Sequence, residues 1–217
     1  MKTALVFGSS GLIGGHLLNQ LINDINYNKI KIFVRSEPEN NNPKVEIIKT
    51  DFNNLENHKE DIKGEDCFFC IGTTKQNSPD KNEYRRVEFD VPKEIAQIAK
   101  SNLVNSFVFV SSGYADPKSS GDYLKFKGEV EEELKRLNFP KLGIMRPSFL
   151  LGDRKEKRIG EKIGIFVFKL LSPLFLGPLK KMKPIHSATV AKAMIAITQN
   201  YSSKTIFESN EISEIIN

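Results

Sequence analysis

A chain of 217 residues has room for one sizeable core and an appendage, but not for two full domains. Its 39% hydrophobic and 27% charged residues give the composition of a soluble globular protein. The net charge of +5 is spread along the chain and reads as a solvated surface, which also suits an anionic cofactor or a nucleic-acid backbone.

The chain opens with "MKTALVFGSSG", an apolar run too short for a signal peptide, and this predicts a cytoplasmic protein. Strand-like runs follow at Thr3–Phe7, Ile30–Val34, Val45–Lys49, Cys67–Ile71, Ser106–Val110 and Leu142–Arg146. Their near-continuous apolar character fits parallel strands covered on both faces. Helical periodicity lies between them. Leu12 to Asp24 carries the stripe Leu17, Leu18, Leu21 and Ile25, and Asn82 to Lys100 carries Val87, Val91, Ile95, Ile98 and Ala99. A third helix runs from Tyr123 to Leu137. Strand and helix in alternation predict an α/β fold with a doubly wound parallel sheet, whose ligands bind at the carboxyl ends of the strands.

The first such end, "VFGSSGLIGGHLL", spaces Gly8, Gly11 and Gly14 as G-x-x-G-x-x-G between a strand and a helix. Glycines there allow a tight turn and close backbone approach to a pyrophosphate, and the helix N-terminus favours its charge. Ser9, Ser10, Leu12 and Ile13 complete the expected cofactor loop; a purely structural turn is the competing reading. After the second strand, Arg35 and Ser36 stand near where an acid would hold the ribose hydroxyls of NAD. A guanidinium suits a 2′-phosphate, which favours NADP over NAD, although Glu37 lies close by. Asp51 and Phe52, ending the third strand, are placed to flank adenine, or Asp51 caps a following helix. Gly72, after the fourth strand, lets the backbone pass near the cofactor.

Cys67 and Cys70 form C-x-x-C, but residues three apart on a strand face opposite sides, so packing is the favoured reading over a redox or metal site. No spaced cluster of histidine, cysteine and carboxylate predicts a metal.

Three of the five tyrosines have lysine at the fourth position on: Tyr27–Lys31, Tyr114–Lys118 and Tyr123–Lys127. Lys31 falls in a strand, and Pro117 interrupts the second pair. Only Tyr123 and Lys127 share a helix face, one turn apart. A lysine on that inward stripe requires a partner. Ser111 and Ser112, at the end of the fifth strand, complete a hydroxyl, a phenol and an ammonium. Together they suit hydride transfer: the ammonium favours the phenolate of a tyrosine whose ordinary pKa is about 10, and the serine holds the substrate oxygen.

These residues resemble the short-chain dehydrogenase/reductase superfamily. Over nearly its whole length the chain is similar to the superfamily's atypical Tat-interacting-protein group. The resemblance lies in "FGSSGLIGGHLL", "CFFCIGTTK", "FVSSGYADPKSS", "YLKFKGEVEEEL" and "RPSFLLGDRKEKRIGE". It implies a single Rossmann-type domain over 1–217 with a small lid region at 150–190, and a catalytic triad of Ser112, Tyr123 and Lys127. It also implies Gly8, Gly11 and Gly14 on the cofactor, with Tyr123 and Lys127 beside it and Pro147 near the nicotinamide. The expected substrate is a small carbonyl or alcohol. One departure stands out: where the superfamily often supplies an asparagine, "RRVEFDVP" offers Glu88 and Asp90, which puts the usual proton relay in doubt. A cofactor-bound regulator with little turnover is therefore an alternative. A nucleotide-sugar epimerase or dehydratase is disfavoured, because only about 70 residues follow the sixth strand.

The basic stretch "GDRKEKRIGEK" reads as a solvated loop, with a phosphate-bearing substrate or nucleic acid as the rival reading. The apolar stretch Ile163 to Leu179 is short for a membrane span of ~20 residues. It predicts a lid or a homodimer surface first and a peripheral membrane contact second. Nucleic acid is not an expected partner. His186 precedes a helix whose expected N-cap is Ser187.

Overall fold

The computed structural model describes residues 1–152, 181–200 and 203–216. The apolar runs form parallel strands, of which the central ones, such as β4 and β5, are buried under helices on both faces. In chain order they are β1 (Lys2–Phe7), α1 (Leu12–Asn23), β2 (Tyr27–Val34), β3 (Val45–Lys49), β4 (Asp66–Phe69), α2 (Lys81–Arg85) and α3 (Val91–Ser101). Then come β5 (Ser106–Val110), α4 (Asp122–Leu137), β6 (Lys141–Arg146), β7 (Leu150–Leu151), β8 (Ile185–His186), α5 (Ser187–Gln199), β9 (Ile206–Glu208) and α6 (Ser209–Glu214). The main sheet has the order β3-β2-β1-β4-β5-β6-β9, all parallel; β7 and β8 form a separate parallel pair. The chain reverses its direction of winding between β1 and β4, so a crevice opens there at the carboxyl ends of the strands.

One core layer packs α2, α3 and α4 against the sheet, and the other packs α1 and α5. Across the first layer runs a row of phenylalanines on four neighbouring strands, Phe33, Phe7, Phe69 and Phe109. Their ring centroids are 4.3, 6.1 and 5.8 Å apart in turn. Each is at most 1% exposed, and the row forms a floor beneath the strand ends. Phe69 sits inside it with neighbours on both sides, so Phe69→Ala should cost about 3–5 kcal/mol of unfolding free energy. Urea unfolding checks this; a loss under about 1 kcal/mol would mean the floor closes over the gap.

Several expectations shift. β2 starts three residues early, at Tyr27, whose buried hydroxyl donates to Asp66 at 2.7 Å. α1 ends at Asn23, which leaves Ile25 beyond the helix and 82% exposed rather than on its stripe. The long helix expected over 82–100 is broken by one wide π turn, Arg86–Asp90. The cause is in the sequence: Pro92 has no N–H to give the carbonyl of Glu88, so the regular ladder cannot pass. The turn also changes which side chains face inward. Glu88 and Phe89 are buried, while Val87 is only half-buried. α5 includes Ser187, and His186 rather than Ser187 takes the capping position. Strand β9, which extends the sheet beyond β6, has too short an apolar signal to stand out in the sequence. The apolar stretch 163–179, and with it the lid, dimer or membrane surface, lies outside the described residues, as does most of the basic stretch before it.

Cys67 packs in one core layer and Cys70 against the other, so the two thiols face apart and are unpaired. Burial pushes the Cys70 thiol up to about 12 and that of Cys67 well above its ordinary value, so both stay protonated and packed. Among the described residues no helix is long and apolar enough to cross a membrane.

Candidate active site

The glycine loop sits at the crevice. Gly8 leaves β1 with φ of +89°, a left-handed conformation, and a Cβ on it would lie 2.8 Å from the backbone of Cys70 and Ile71. A Cβ on Gly14 would stand 2.0 Å from the Gly8 carbonyl oxygen. The loop is therefore folded as tightly as the chain allows. Gly11 holds the N-cap position of α1 without a side-chain cap, and no acidic residue occupies the first turn. The open helix N-terminus and the bare backbone at Gly8, Gly11 and Gly14 fit a pyrophosphate. Of the intervening residues Ser9 and Ile13 are buried, Leu12 is half-buried, and Ser10 is exposed.

The other expected cofactor residues stand at neighbouring strand ends. Arg35 and Ser36 are exposed just past β2, and among the described residues Arg35 is paired with no carboxylate. Asp51 and Phe52 follow β3. Asp51 does not cap a helix: its carboxylate accepts from the backbone N–H of Asn53 at 2.9 Å and from Asn53 Nδ2 at 3.1 Å, and these bonds lower its pKa. Phe52 adopts φ of +64°, and its carbonyl accepts from Arg86 at 2.6 Å. Pro147, past β6, is buried, and its carbonyl accepts from Gly113 at 3.0 Å, which ties the β5 and β6 ends together.

Tyr123 and Lys127 lie on α4, and only this tyrosine–lysine pair is helical; Tyr27 and Lys31 lie in β2, and Tyr114 is in a turn. Lys127 Nζ lies 6.0 Å from the centre of the Tyr123 ring and 4.9 Å from that of Phe109, the end of the phenylalanine row. Tyr123 is 39% exposed, whereas Lys127 is 3% exposed. The two serines after β5 have different surroundings. Ser111 is buried and donates to Glu131 at 2.5 Å, so its hydroxyl is committed. Ser112 is half-buried and makes only a long 3.3 Å bond to the Gly113 carbonyl, which leaves it the better placed of the two to meet a ligand.

The partner that the inward-facing lysine requires is Glu88. Its Oε2 lies 3.0 Å from Lys127 Nζ, and its Oε1 accepts the Thr73 backbone N–H at 2.5 Å. A Cβ on Gly72 would be 3.5 Å from Glu88 Oε1 and 3.9 Å from Lys127 Nζ, so the β4 end, the π turn and α4 meet at one point. Burial by itself would lower the Lys127 pKa. The Glu88 carboxylate, with smaller help from Tyr123 and Glu131, outweighs burial and holds it above the ordinary lysine value. In the sequence Glu88 stands only as a departure from the expected asparagine; Pro92, four residues on, is the local signal that this turn is special.

A second buried carboxylate was also missed. Glu131, 1% exposed, accepts from both Ser111 and Arg146, the latter through Nε at 2.9 Å and Nη2 at 2.5 Å. Arg146 further donates to the Ala115 carbonyl at 3.1 Å and reaches Glu208 at 3.4 Å. This cluster locks α4, the β5 loop, β6 and β9 together behind the tyrosine–lysine face.

The profile of the NAD(P)H-binding family matches residues 8–200. Protein HTATIP2 of Rattus norvegicus is 34% identical over 166 residues, covering 74% of this chain and 67% of that protein. Protein FMP52-1, mitochondrial, of Scheffersomyces stipitis is 29% identical over 228 residues, 98% of each. Among solved structures, a UDP-N-acetylglucosamine 4-epimerase from Methanobrevibacter ruminantium M1, in complex with UDP-N-acetylmuramic acid, shares the fold. Its TM-score is 0.71 at 20% identity, over 94% of this chain and 74% of that one. The FMP52 relatives overturn the expected cytoplasmic placement, since those matching 98% of this chain are named mitochondrial. The N-terminal apolar run is strand β1, and its length says nothing about compartment. The glycine loop, the winding of the sheet and the family match agree: the chain belongs to the NAD(P)H-binding family, as an oxidoreductase-type member of the atypical short-chain dehydrogenase/reductase group that includes HTATIP2 and FMP52.

Proposed function

We propose that the protein is an NADP-dependent oxidoreductase that moves hydride to or from a small carbonyl or alcohol, with Ser112, Tyr123 and Lys127 as its catalytic residues. The observation that carries this reading is the placement of Tyr123 and Lys127 on one face of α4, with the lysine buried and the tyrosine 39% exposed beside it. The bound cofactor supplies or accepts the hydride. In the reducing direction Ser112 Oγ holds the carbonyl oxygen, and the Tyr123 hydroxyl donates a proton to that oxygen as charge develops on it. Lys127 stabilises the phenolate left behind and orients the ribose next to the nicotinamide. The exposed Tyr123 ring lets the proton be replaced from solvent.

The preference for NADP rests on Arg35, exposed at the β2 end where the adenosine ribose would lie. Arg35→Ala should weaken NADPH binding by about 1.5–3 kcal/mol, the worth of a charged hydrogen bond, and leave NADH nearly unchanged. Calorimetric titration of both cofactors checks this, and equal losses would remove the assignment. The reaction itself is tested by following nicotinamide absorbance with NADPH and a panel of aldehydes and ketones. Tight NADPH binding with no oxidation of it by any carbonyl would favour a cofactor-bound regulator instead.

A further inference from the structure

We propose that Glu88 is a positioning residue of this site: its carboxylate, enclosed with Lys127, anchors the lysine ammonium beside Tyr123 and keeps it in the charged form the reaction needs. This role rests on the catalytic reading of Tyr123 and Lys127, but the anchoring itself can be measured without turnover.

The geometry is specific. Glu88 is 1% exposed, and its carboxylate bridges two things that must stay in register, the Thr73 backbone N–H at the β4 end and Lys127 Nζ on α4. It reaches both because the π turn at Arg86–Asp90 turns Glu88 toward the strand ends, where a regular helix would follow the stripe of Val87. Enclosing a charged pair costs solvation at both ions, and an apolar pair of similar volume would hold a core at least as well. The pair therefore needs a reason beyond stability, and the reactive tyrosine next to it supplies one.

The groups facing Lys127 from each packed element leave that task to Glu88. From β4, Cys70 is a neutral thiol whose pKa is pushed up by burial. From α2, Tyr84 lies near Glu88 with its pKa raised by burial, so it also stays neutral. On α4 itself, Tyr123 is the proton donor, and the Glu131 carboxylate is already engaged by Ser111 and Arg146. The remaining contacts of Nζ are the Val110 carbonyl at 3.4 Å and the face of Phe109, neither of which carries a full charge. Without Glu88, burial would favour the neutral amine. An amine can neither stabilise a phenolate nor hold its place by charge.

The test is an NMR titration of the full-length protein carrying lysine labelled at the ε-carbon, with the Lys127 signal identified by its loss in Lys127→Arg. In the wild type Lys127 should stay charged to or beyond the ordinary lysine midpoint. In Glu88→Gln its midpoint should fall by about two pH units or more, with Glu88→Asp, whose carboxylate is drawn back by one methylene, between the two. Should Glu88→Gln not fold, Glu88→Asp alone carries the comparison, as a smaller downward shift. A Lys127 midpoint unchanged in the folded variants overturns the proposal. Steady-state rates give the second readout. The kcat of Glu88→Gln relative to wild type should fall by about tenfold between about pH 6.5 and about pH 9.5, as the ammonium is lost, on top of any pH-independent loss from the missing anchor. A loss of equal size at every pH would mean that Glu88 serves packing alone, and would overturn its part in the reaction. If the midpoint falls as expected but even the wild type reduces no carbonyl, the hydride-transfer reading fails and the anchoring stands.

Discussion

Tyr123→Phe should lower kcat about 10²- to 10⁴-fold, the usual contribution of a positioned proton donor, and leave the affinity for NADPH within about twofold of wild type. The substitution removes one oxygen from a side chain that is 39% exposed and anchors no part of the core, so the fold has little to lose. Its ring can stay where it is, 6.0 Å from Lys127 Nζ. What is lost is the proton for the substrate oxygen, and neighbouring hydroxyls cannot replace it. Ser111 is committed to Glu131, and Ser112, as a substrate-holding group, lacks a charged partner to favour its ionised form. Stopped-flow measurement of single-turnover NADPH oxidation, beside a thermal unfolding scan, separates chemistry from stability. Wild-type rates in this variant would remove Tyr123 from the mechanism.

Gly14→Ala should cost about 3 kcal/mol of stability or more, with cofactor binding lost alongside. The added Cβ would lie 2.0 Å from the Gly8 carbonyl oxygen and 2.7 Å from its carbon. Those are backbone atoms, so no side-chain rotation relieves the clash; either α1 moves off β1 or the loop unfolds. Gly8 has little room to retreat, because the space a Cβ on it would fill is already taken by the backbone of Cys70 and Ile71, 2.8 Å away just past the end of β4. Circular dichroism melts and NADPH fluorescence titration would show both losses. A stable variant that still binds NADPH would mean the loop has slack that its geometry does not suggest. Gly15, one position on, is the control, because a Cβ there meets nothing nearer than 3.6 Å.

Local pattern alone marked the six strands β1 to β6 and the glycine loop. β5 begins and ends where its apolar run does, since a strand buried on both faces has little choice of residues; β3 keeps the bounds of its run as well, although only Ile48 in it is buried. The G-x-x-G-x-x-G spacing and the single tyrosine–lysine pair able to share a helix face are likewise properties of short segments. What the sequence could not reveal is which distant groups meet. That the inward lysine would find Glu88, that Ser111 would be spent on Glu131 and leave Ser112 free, and that Arg146 would bind the same carboxylate all depend on bringing β4, β5, β6, α4 and the π turn to one end of the sheet. Pairings across that distance leave no periodic trace, because the solvation cost of burying a charge is offset by whichever partner the fold brings near, not by a neighbour in the chain. Even the π turn, announced by Pro92, could be read only as an interruption until the sheet showed Glu88 turned toward Lys127.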